Sequence, residues 1–531
     1  MTTTLELLRQ GKKEEVWTKH CGYLDLNIDE FMEIQERLLL EQIEYLKKSE
    51  IGMKLLGEKV PTSMEEFCNS VKLTSYKDYH PYLKDQNADS LPYEPYAWAH
   101  TTGSSGEYQW KWAPYTKRMY DQLGEGSLSA ILMSSCSQKG EVLVEPGDVL
   151  LLGTAPRPYM SGFLSLSVEE QTGATFVPSL KDGENMDFGE RINTGFSMGM
   201  ITGIDYFYGL ASILAKIGER FEQGSGNTKL TAAMLRPNVL FRLLKGVLGA
   251  KLAKRNMIPK DIWKLKGILC GGTDTAIYRD RIKHYWGKEP LEGYACTEGG
   301  ILAFQSWSFK GMTMLPHNNF LEFIPIEEHL MEKANKDYTP KTVLFKDLKP
   351  GVYELVFTNL LGGVFTRYRI GDLIEVISIR DDEIGIELPQ IQFYSRSDNL
   401  LDIGGIARFT EKTIWQAVEA SGIKYVDWIV RKEEHNGEPN LHFYIELDSS
   451  EEKSEEELSV LLHKGLRDTS QEFVDLVEIS GKKHLFITKA PGGAFARFID
   501  EQRKAGADLA QLKPNHMQAP DKIINRLLQK G

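Results

Sequence analysis

Cysteine is scarce in this sequence, and the few cysteines lie far apart. The 531 residues include five cysteines and no C-x-x-C pair. An odd number of widely spaced cysteines argues against a disulfide framework and against a structural zinc site. The eleven histidines show none of the spacings that bind metals, so we expect no transition metal held by protein ligands.

The sequence also contains no excess of positive charge and no long uninterrupted apolar run. Lys and Arg number 63 against 75 Asp and Glu, which gives a formal net charge of −12. This balance argues against a general nucleic-acid binder, whose surface is basic. The most apolar window, 195–218, contains Asp205 and Lys216, so we expect a buried helix rather than a membrane span. The first residues form no apolar h-region, so we expect no signal peptide, no membrane partner and a cytoplasmic location.

What the sequence does contain is the composition and the periodicity of a globular protein. Apolar residues make up 41%, aromatic residues 10% and charged residues 26%. Short apolar runs that alternate with helical patterns predict an α/β domain with a largely parallel sheet. The predicted strands are 96–100, 108–112, 149–153 and 265–270, and the predicted helical stretches are 1–90, 195–222 and 229–255.

A change in the pattern of predicted helices and strands near residues 393–398 predicts a domain boundary. Beyond it, a helix, two strands around a turn, a capped helix and a third strand follow, which is enough for a small α+β domain. We therefore expect a large N-terminal α/β domain over 1–395, in which helices flank β-sheets. We expect a small C-terminal α+β domain over 396–531.

The first segment that can carry chemistry is the loop Thr101-Thr-Gly-Ser-Ser-Gly106. Glycine lets a backbone approach a phosphate closely, and the hydroxyls of Ser104 and Ser105 add donors. The loop is not a Walker A loop, because the G-x-x-x-x-G-K-[ST] spacing is absent. A plain turn between two strands stays open as the alternative.

Two later segments place a carboxylate beside a glycine turn. Tyr294-Ala-Cys-Thr-Glu298 ends in a carboxylate suited to Mg²⁺, which prefers a few carboxylates together with phosphate oxygens. In Thr366-Arg-Tyr-Arg-Ile-Gly-Asp372, the aspartate is suited to a ribose diol and Arg369 to a phosphate. The alternatives are a solvated glutamate and a turn aspartate that pairs with a neighbouring arginine.

Two further segments offer other functions. Gly195-Phe-Ser-Met-Gly199 fits the nucleophile elbow of α/β-hydrolases, with Ser197 as nucleophile, but that motif requires an apolar strand directly before it. Residues 184–194 are largely polar, so small residues that pack a buried helix are the other explanation. The stretch from Arg236 to Lys266 is rich in Lys and Arg, and it is either a solvated helix face or a surface for an acidic cofactor tail.

Taken jointly and in order, the three glycine-flanked segments resemble those of the adenylate-forming enzymes. Within that superfamily, the sequence is similar to the Gretchen Hagen family of auxin-responsive acyl-acid amido synthetases. Phe320–Pro325, Gly351–Asn359 and Tyr368–Asp372 occur in that family in this order. The segment from Gly506 to Pro514 resembles the terminal segment of that family, with Lys513 in the matching position.

The resemblance implies an adenylate-forming fold whose small C-terminal domain is mobile. It implies an ATP- and Mg²⁺-dependent ligase that activates a carboxylic acid as acyl-AMP, releases pyrophosphate and transfers the acyl group to an amino acid or amine. Ser395-Arg-Ser-Asp398 is more similar to the hinge of phenylacetate–coenzyme A ligases, so coenzyme A stays open as the acceptor. Apolar side chains within 153–205 favour a small apolar or aromatic acid, namely Tyr159, Met160, Phe163 and Phe196. We expect a monomer or a homodimer, and no nucleic-acid partner.

The resemblance also implies roles for the candidate residues. Lys513 is the expected catalytic cation at the carboxylate and α-phosphate, with Arg408 as a second candidate. Thr297 is expected at the α-phosphate, and Glu298 is expected to hold Mg²⁺. The nucleotide is expected to contact Thr101, Ser104, Ser105, Gly106, Gly271, Gly272, Tyr294 at the adenine, Arg369 at a phosphate and Asp372 at the ribose.

Overall fold

The computed structural model of the chain describes residues 2–102, 108, 110–224, 236–271, 275–335, 337–397, 399–403, 407–435, 438–504 and 516–529. The chain folds into two compact units. The first is Met1–Ile370 with Ile374–Phe393, and the second is Gly371–Leu373 with Tyr394–Gly531. The predicted division into domains 1–395 and 396–531 stays a prediction.

Helices make up the first part of the chain and then alternate with strands. In the described residues the helices are α1 Thr4–Arg9, α2 Lys13–Cys21, α3 Ile28–Leu46, α4 Glu50–Leu56, α5 Met64–Ser70, α6 Tyr76–Leu83, α7 Lys117–Ser135, α8 Met160–Thr172, α9 Leu180–Gly183, α10 Phe188–Thr202, α11 Ala211–Gly224, α12 Pro237–Leu252, α13 Pro259–Ile262, α14 Thr275–Trp286, α15 Ile326–Ala334, α16 Glu411–Ala420, α17 Glu455–Thr469, α18 Gln471–Ser480, α19 Ala494–Lys504 and α20 Asp521–Leu528. At the start of α3, the Asn27 side chain and the Glu30 carboxylate each accept a backbone N–H of the other, which caps the first turn. Within these described residues, no helix combines the length and the apolar character that a membrane span requires.

The strands are distributed along the chain from residue 97 onward. In the described residues they are β1 Ala97–Thr102, β2 Trp110–Tyr115, β3 Val149–Gly153, β4 Thr175–Val177, β5 Tyr206–Leu210, β6 Gly267–Gly271, β7 Leu291–Cys296, β8 Gly300–Gln305, β9 Met312–Met314, β10 Asn319–Pro325, β11 Val343–Leu344, β12 Gly351–Asn359, β13 Tyr368–Ser378, β14 Gln390–Arg396, β15 Leu401–Ile403, β16 Ala407–Phe409, β17 Tyr425–His435, β18 Glu438–Leu447 and β19 Leu485–Lys489. β1 and β2 form the antiparallel hairpin that the alternation around Trp110 predicted.

One large sheet dominates the described part of the first unit. Its twelve strands follow the order β11-β10-β12-β13-β14-β9-β8-β7-β6-β5-β3-β4. β4, β3, β5, β6 and β7 run parallel, and β8 and β9 are antiparallel to their neighbours. The predicted α/β class is therefore confirmed.

Helices cover both faces of the parallel strands. Leu150 and Leu152 of β3 pack into the core that includes residues of α7 and α8, whereas Leu151 between them packs with residues of α11 and α14. Successive side chains of a strand point to opposite faces, so a strand between two helical layers is apolar throughout.

The prediction of one helical stretch over 195–222 is wrong. α10 ends at Thr202, and the strand β5 precedes α11. Gly203 adopts a φ of +94°, which closes the helix in a conformation that favours glycine. The aromatic residues from Tyr206 to Tyr208 form a strand buried on both faces. A continuous apolar run of this kind has no period that separates it from a buried helix.

The second unit is built around a three-stranded sheet in the order β17-β18-β19. β17 and β18 are antiparallel, and β19 runs parallel to β18. Trp428, Phe443 and Leu462 are fully buried in its core. This mixture of strands and helices matches the predicted α+β character of the C-terminal region.

Candidate functional site

The strands β1 and β2 lie before and after the predicted phosphate loop in the chain. Thr101 on β1 pairs with Lys111 on β2. The backbone N–H of His100 donates to the carbonyl of Pro158 at 3.1 Å, so the end of β1 lies beside the loop that follows β3. Ser104, Ser105 and Gly106 lie outside the described residues, and their roles stay predictions.

The carboxyl ends of β6 and β7 form the other side of the candidate site. The two strands are parallel neighbours, with Gly271 paired to Gly293. The carboxyl ends of parallel strands meet at one edge of a sheet, where α/β proteins bind ligands. A Cβ atom on Gly271 would meet no atom of a described residue within 4 Å, so open space adjoins this edge in the described part of the chain. Gly272 lies outside the described residues.

Glu298 follows directly after β7 and is buried at this edge. Only 5% of the surface of Glu298 is exposed to solvent. The hydroxyl of Tyr368 donates to its Oε1 at 3.1 Å. Among the residues that the structure describes, no Lys, Arg or His nitrogen lies within 4.0 Å of this carboxylate. Burial of a carboxylate without an opposite charge is unfavourable. Glu298 is therefore a candidate metal ligand, since carboxylate oxygens suit Mg²⁺.

Tyrosine hydroxyls surround the turn that carries Glu298. The hydroxyl of Tyr115 donates to the carbonyl oxygen of Thr297 at 2.6 Å. Burial raises the pKa of Tyr115 and of Tyr368 well above the usual value, and the charge of Glu298 raises both further. Both phenols therefore stay protonated and remain hydrogen-bond donors.

Two buried amides hold the backbone of the same turn. Asn359 donates from Nδ2 to the carbonyl of Glu298 at 2.9 Å, and Asn319 donates from Nδ2 to the carbonyl of Gly299 at 2.7 Å. Gly300 has a φ of +67°, a conformation that favours glycine. Sequence reasoning missed both asparagines. The available signal was an amide at one end of a largely apolar strand, β10 or β12.

A cavity lies between the parallel strands and the helices α7 and α8. It has about 620 Å³ of empty space, part of which is open to solvent. Its walls are mostly apolar, and the hydroxyls of Ser127 and Ser165 donate to carbonyls of their own helices. It reaches Gly271, Gly293 and Ala295 at the edge beside Thr297.

Some residues of the range 153–205, where we expected the acyl-binding pocket, line this cavity. The four side chains that we expected there do not. The cavity is lined by Leu164, Val168 and Phe176, which lie within 153–205, whereas Tyr159, Met160, Phe163 and Phe196 do not line it. Phe196 packs against Trp263 on the opposite face of the sheet. Sequence alone did not show which helix covers which face.

Arg369 has contacts that do not support the predicted phosphate role. Its guanidinium binds the carboxylates of Glu332 and Glu354 at 2.7 Å. Burial alone would raise the pKa of Glu354, but Arg369 and His329 lower it to about 2. Two negative charges therefore neutralise Arg369, and the residue acts as a structural link between β12, β13 and α15.

The remaining predicted residues belong to the second unit. Asp372 is buried, and its Oδ1 accepts a hydrogen bond from Nη1 of Arg396 at 2.8 Å. The backbone N–H of Arg408 donates to Glu472 at 2.7 Å. Lys513 lies outside the described residues. The roles of these residues stay predictions.

Two models of protein-family domains match parts of this chain. The GH3 family N-terminal domain matches residues 24–159, which include the hairpin β1–β2. The GH3 family central domain matches residues 312–396, which include Asn319, Asn359, Tyr368 and Asp372. The chain therefore contains regions that match both of these GH3 family domains. No curated protein matches the chain in sequence.

Solved structures of GH3 proteins share the fold of this chain. AtGH3.15 acyl acid amido synthetase in complex with 2,4-DB is 16% identical, with a TM-score of 0.64 over 98% of this chain and 95% of that one. GH3.15 acyl acid amido synthetase is 16% identical, with a TM-score of 0.67 over 99% and 96%. A 2-hydroxyisobutyryl-CoA ligase in complex with R3-HIB-AMP is 12% identical, with a TM-score of 0.53 over 99% and 91%. These likenesses confirm the predicted adenylate-forming fold.

The position of Ser197 in this GH3 fold contradicts the hydrolase alternative. Gly195–Gly199 lies inside α10, which starts at Phe188, and no strand precedes it directly. The hydroxyl of Ser197 donates to the carbonyl of Asn193 at 2.9 Å, within the same helix. A nucleophile elbow requires a sharp turn from strand to helix, so Ser197 is a helix residue rather than a nucleophile.

His516 lies three residues after Lys513, and two carboxylates hold its side chain in place. Its ring nitrogens lie 2.7 Å from Glu411 Oε1 and 2.9 Å from Asp427 Oδ1. Burial alone would lower the pKa of His516, but hydrogen bonds to Asp427 and Glu411 outweigh burial and raise it to about 10. The N–H of Val430 donates to the carbonyl of His516 at 2.7 Å, which joins this segment to β17.

We expect the second unit to lose stability as pH rises from about 6.5, the usual histidine pKa, to about 10. The protonated ring stabilises the folded state fully below that window, and the contribution disappears once His516 loses its proton. Urea unfolding, followed by mass-spectrometric labelling of β17, measures the change. Asp427→Asn should flatten the dependence, and a wild-type stability that is constant across this window would contradict the assignment.

Proposed function

We propose that this protein is an ATP-dependent ligase that activates a carboxylic acid as acyl-AMP and transfers the acyl group to an amino acid or amine. The observation that carries the proposal is the buried Glu298 carboxylate, which has no cationic partner among the described residues. It lies at the same sheet edge as the open space at Gly271 and the mouth of the apolar cavity. The shared fold with an acyl acid amido synthetase supports the same function.

The first half-reaction joins two anions. A carboxylate oxygen of the acid forms a bond to the α-phosphorus of ATP, and the bond from that phosphorus to the bridging oxygen breaks, so that pyrophosphate leaves. Like charges about 4 Å apart repel by roughly 4 kcal/mol at an effective dielectric constant near 20. The site therefore has to supply positive charge and hydrogen-bond donors. Mg²⁺ held by Glu298 supplies such charge to the phosphate oxygens when it is bound.

We assign the other contacts to the residues that the family resemblance indicated. Thr101 and the loop to Gly106 supply donors to the phosphates, and Thr297 lies at the α-phosphate. Tyr294, a buried residue on β7, packs against the adenine. Asp372 accepts hydrogen bonds from the ribose, with Arg396 fixing its carboxylate. Lys513, or Arg408 as the second candidate, supplies the cation at the reacting carboxylate.

The cavity favours an apolar or aromatic acid. It contains no charged side chain in its described lining, and the hydroxyls of Ser127 and Ser165 already have acceptors. An acid bound with its apolar part between α7 and α8 would direct its carboxylate toward the edge at Ala295 and Thr297. Binding in this orientation brings the nucleophile to the phosphate side of the site.

The second half-reaction transfers the acyl group. An amine nitrogen attacks the carbonyl carbon of acyl-AMP, the bond to the phosphate oxygen breaks, AMP leaves and the amine releases a proton. Coenzyme A is the second candidate acceptor. It is favoured by the Ser395–Asp398 segment and by the shared fold with a 2-hydroxyisobutyryl-CoA ligase. Rotation of a mobile C-terminal domain would let one cleft serve both steps. We place the reaction in the cytoplasm, which the five free cysteines support.

The proposal predicts pyrophosphate release that depends on both ATP and an apolar or aromatic carboxylic acid. The measurement is pyrophosphate release across a panel of acids, followed by product mass with amino acids and then with coenzyme A. An amide mass supports the main proposal, and a thioester mass supports the second acceptor. Pyrophosphate release that is independent of every acid would contradict adenylation. Ser197→Ala should leave all rates unchanged.

Ala130→Leu tests the assignment of the cavity to the acid. Ala130 is fully buried in the cavity wall on α7, so a larger side chain there occupies space that an acid would fill. We expect the KM for an aromatic acid to rise by roughly tenfold, while the KM for ATP stays unchanged. Ala334→Leu makes the same change at an exposed residue on α15 and should alter neither. An unchanged KM for every acid in Ala130→Leu would refute the assignment.

A further inference from the structure

α12 exposes an apolar face that no described residue covers. Sixteen large apolar side chains are exposed in the described residues, and six of them lie on this one helix. Phe241 is 71% exposed, Leu244 and Leu248 are 61% exposed and Leu252 is 85% exposed. These four residues are spaced by three or four positions, so they lie on one face, with Leu240 and Val247 along its border. Contiguous exposed apolar surface of this kind marks an interaction site.

The opposite face of α12 packs against the rest of the first unit. Val239 and Ala250 are buried, and a Cβ atom on Gly246 would come within 3.2 Å of the carbonyl of Asp261. Arg242 donates from Nη1 to the carbonyl of Met200 at the end of α10, at 3.0 Å. The apolar face therefore points away from the unit because the helix is fixed by its other side.

The charged residues of α12 and of its flanks in sequence have one sign. From Arg236 to Lys260 the sequence contains no Asp or Glu, although the whole chain has a net charge of −12. The cations at or beside the helix include Arg236, Lys245, Lys251 and Lys254, all of them exposed. No carboxylate of a described residue lies within 4.0 Å of their charged nitrogens. Arg255, in contrast, is paired with Asp261 at 2.7 Å.

We propose that α12 binds the surface of an anionic lipid bilayer, with Phe241, Leu244, Leu248 and Leu252 inserted at the level of the headgroups. A helix with an apolar face and a basic rim lies in the plane of such an interface. Lys245 and Lys251 flank the apolar residues, and their long side chains reach the lipid phosphates while their methylene groups remain in apolar contact. Basic residues next to an anionic surface strengthen this binding.

The charge pattern argues against a second copy of the chain as the occupant. In a two-fold symmetric dimer the same patch faces itself, so the unpaired cations of one copy would face those of the other. Like charges across an interface are unfavourable, and the described part of α12 offers no acid to compensate. An anionic bilayer presents the complementary charge over the whole face.

This inference revises the expectation of no membrane partner. It concerns contact with one surface of a bilayer, which agrees with the finding that no described helix can span one. It is independent of the proposed ligase function, because α12 contributes no residue to the cavity or to the turn at Glu298. Failure of one proposal leaves the other in place.

Vesicle co-sedimentation of the full chain tests the proposal. We expect binding to phosphatidylcholine vesicles that contain about 30 mol% phosphatidylserine, and much weaker binding to phosphatidylcholine alone. Binding should decrease in about 0.5 M salt, where charges are screened over a few ångströms. Equal binding to both kinds of vesicle, or no binding to either, would overturn the proposal without any need for a variant.

A pair of matched double variants locates the binding surface. Phe241→Ser with Lys245→Glu should weaken vesicle binding by roughly tenfold or more. Val460→Ser with Lys464→Glu makes the same kind of change, at the same spacing, on the exposed face of α17 and should leave binding unchanged. Neither pair should alter pyrophosphate release without vesicles. Equal effects of the two pairs would overturn the proposal, as would a vesicle-free dimer that only the α12 pair dissociates.

Discussion

A carboxylate that is buried without a cation beside it is unfavourable unless it takes up a proton or obtains positive charge from a ligand. Glu298 is in this position, since its described hydrogen-bond partner is the neutral hydroxyl of Tyr368. The surrounding phenols cannot neutralise it, because burial raises the pKa of Tyr115 and of Tyr368 and keeps them protonated. The proposed function depends on this arrangement more than on any other contact in the molecule.

The fold keeps that carboxylate in a fixed place. The turn after β7 is tied to β10 and β12 by two buried amides and to the hairpin β1–β2 by the hydroxyl of Tyr115. The parallel strands bring Gly271 and the mouth of the cavity to the same edge. The sheet thus places the turn at Glu298 and an apolar pocket side by side, which is the geometry that the proposed joining of an apolar acid to a phosphate requires.

The sequence predicted those parts of the molecule that depend on short-range patterns. Alternation around Trp110 predicted the hairpin, and glycine turns beside acidic residues pointed to Glu298. The sequence could not separate β5 from its flanking helices, because a strand buried on both faces has no alternation. It also could not show that Arg369 pairs with Glu332 and Glu354, since those contacts join residues far apart in the chain. The amides of Asn319 and Asn359 were missed for the same reason.

Calorimetric titration with ATP, in the presence of Mg²⁺ and in the presence of EDTA, tests the central claim most directly. We predict that Mg²⁺ strengthens ATP binding by at least about tenfold in the wild-type protein and that Glu298→Gln removes most of that gain. Glu327→Gln, at an exposed residue of α15, should retain the gain. An equal gain from Mg²⁺ in the wild type and in Glu298→Gln would contradict the account.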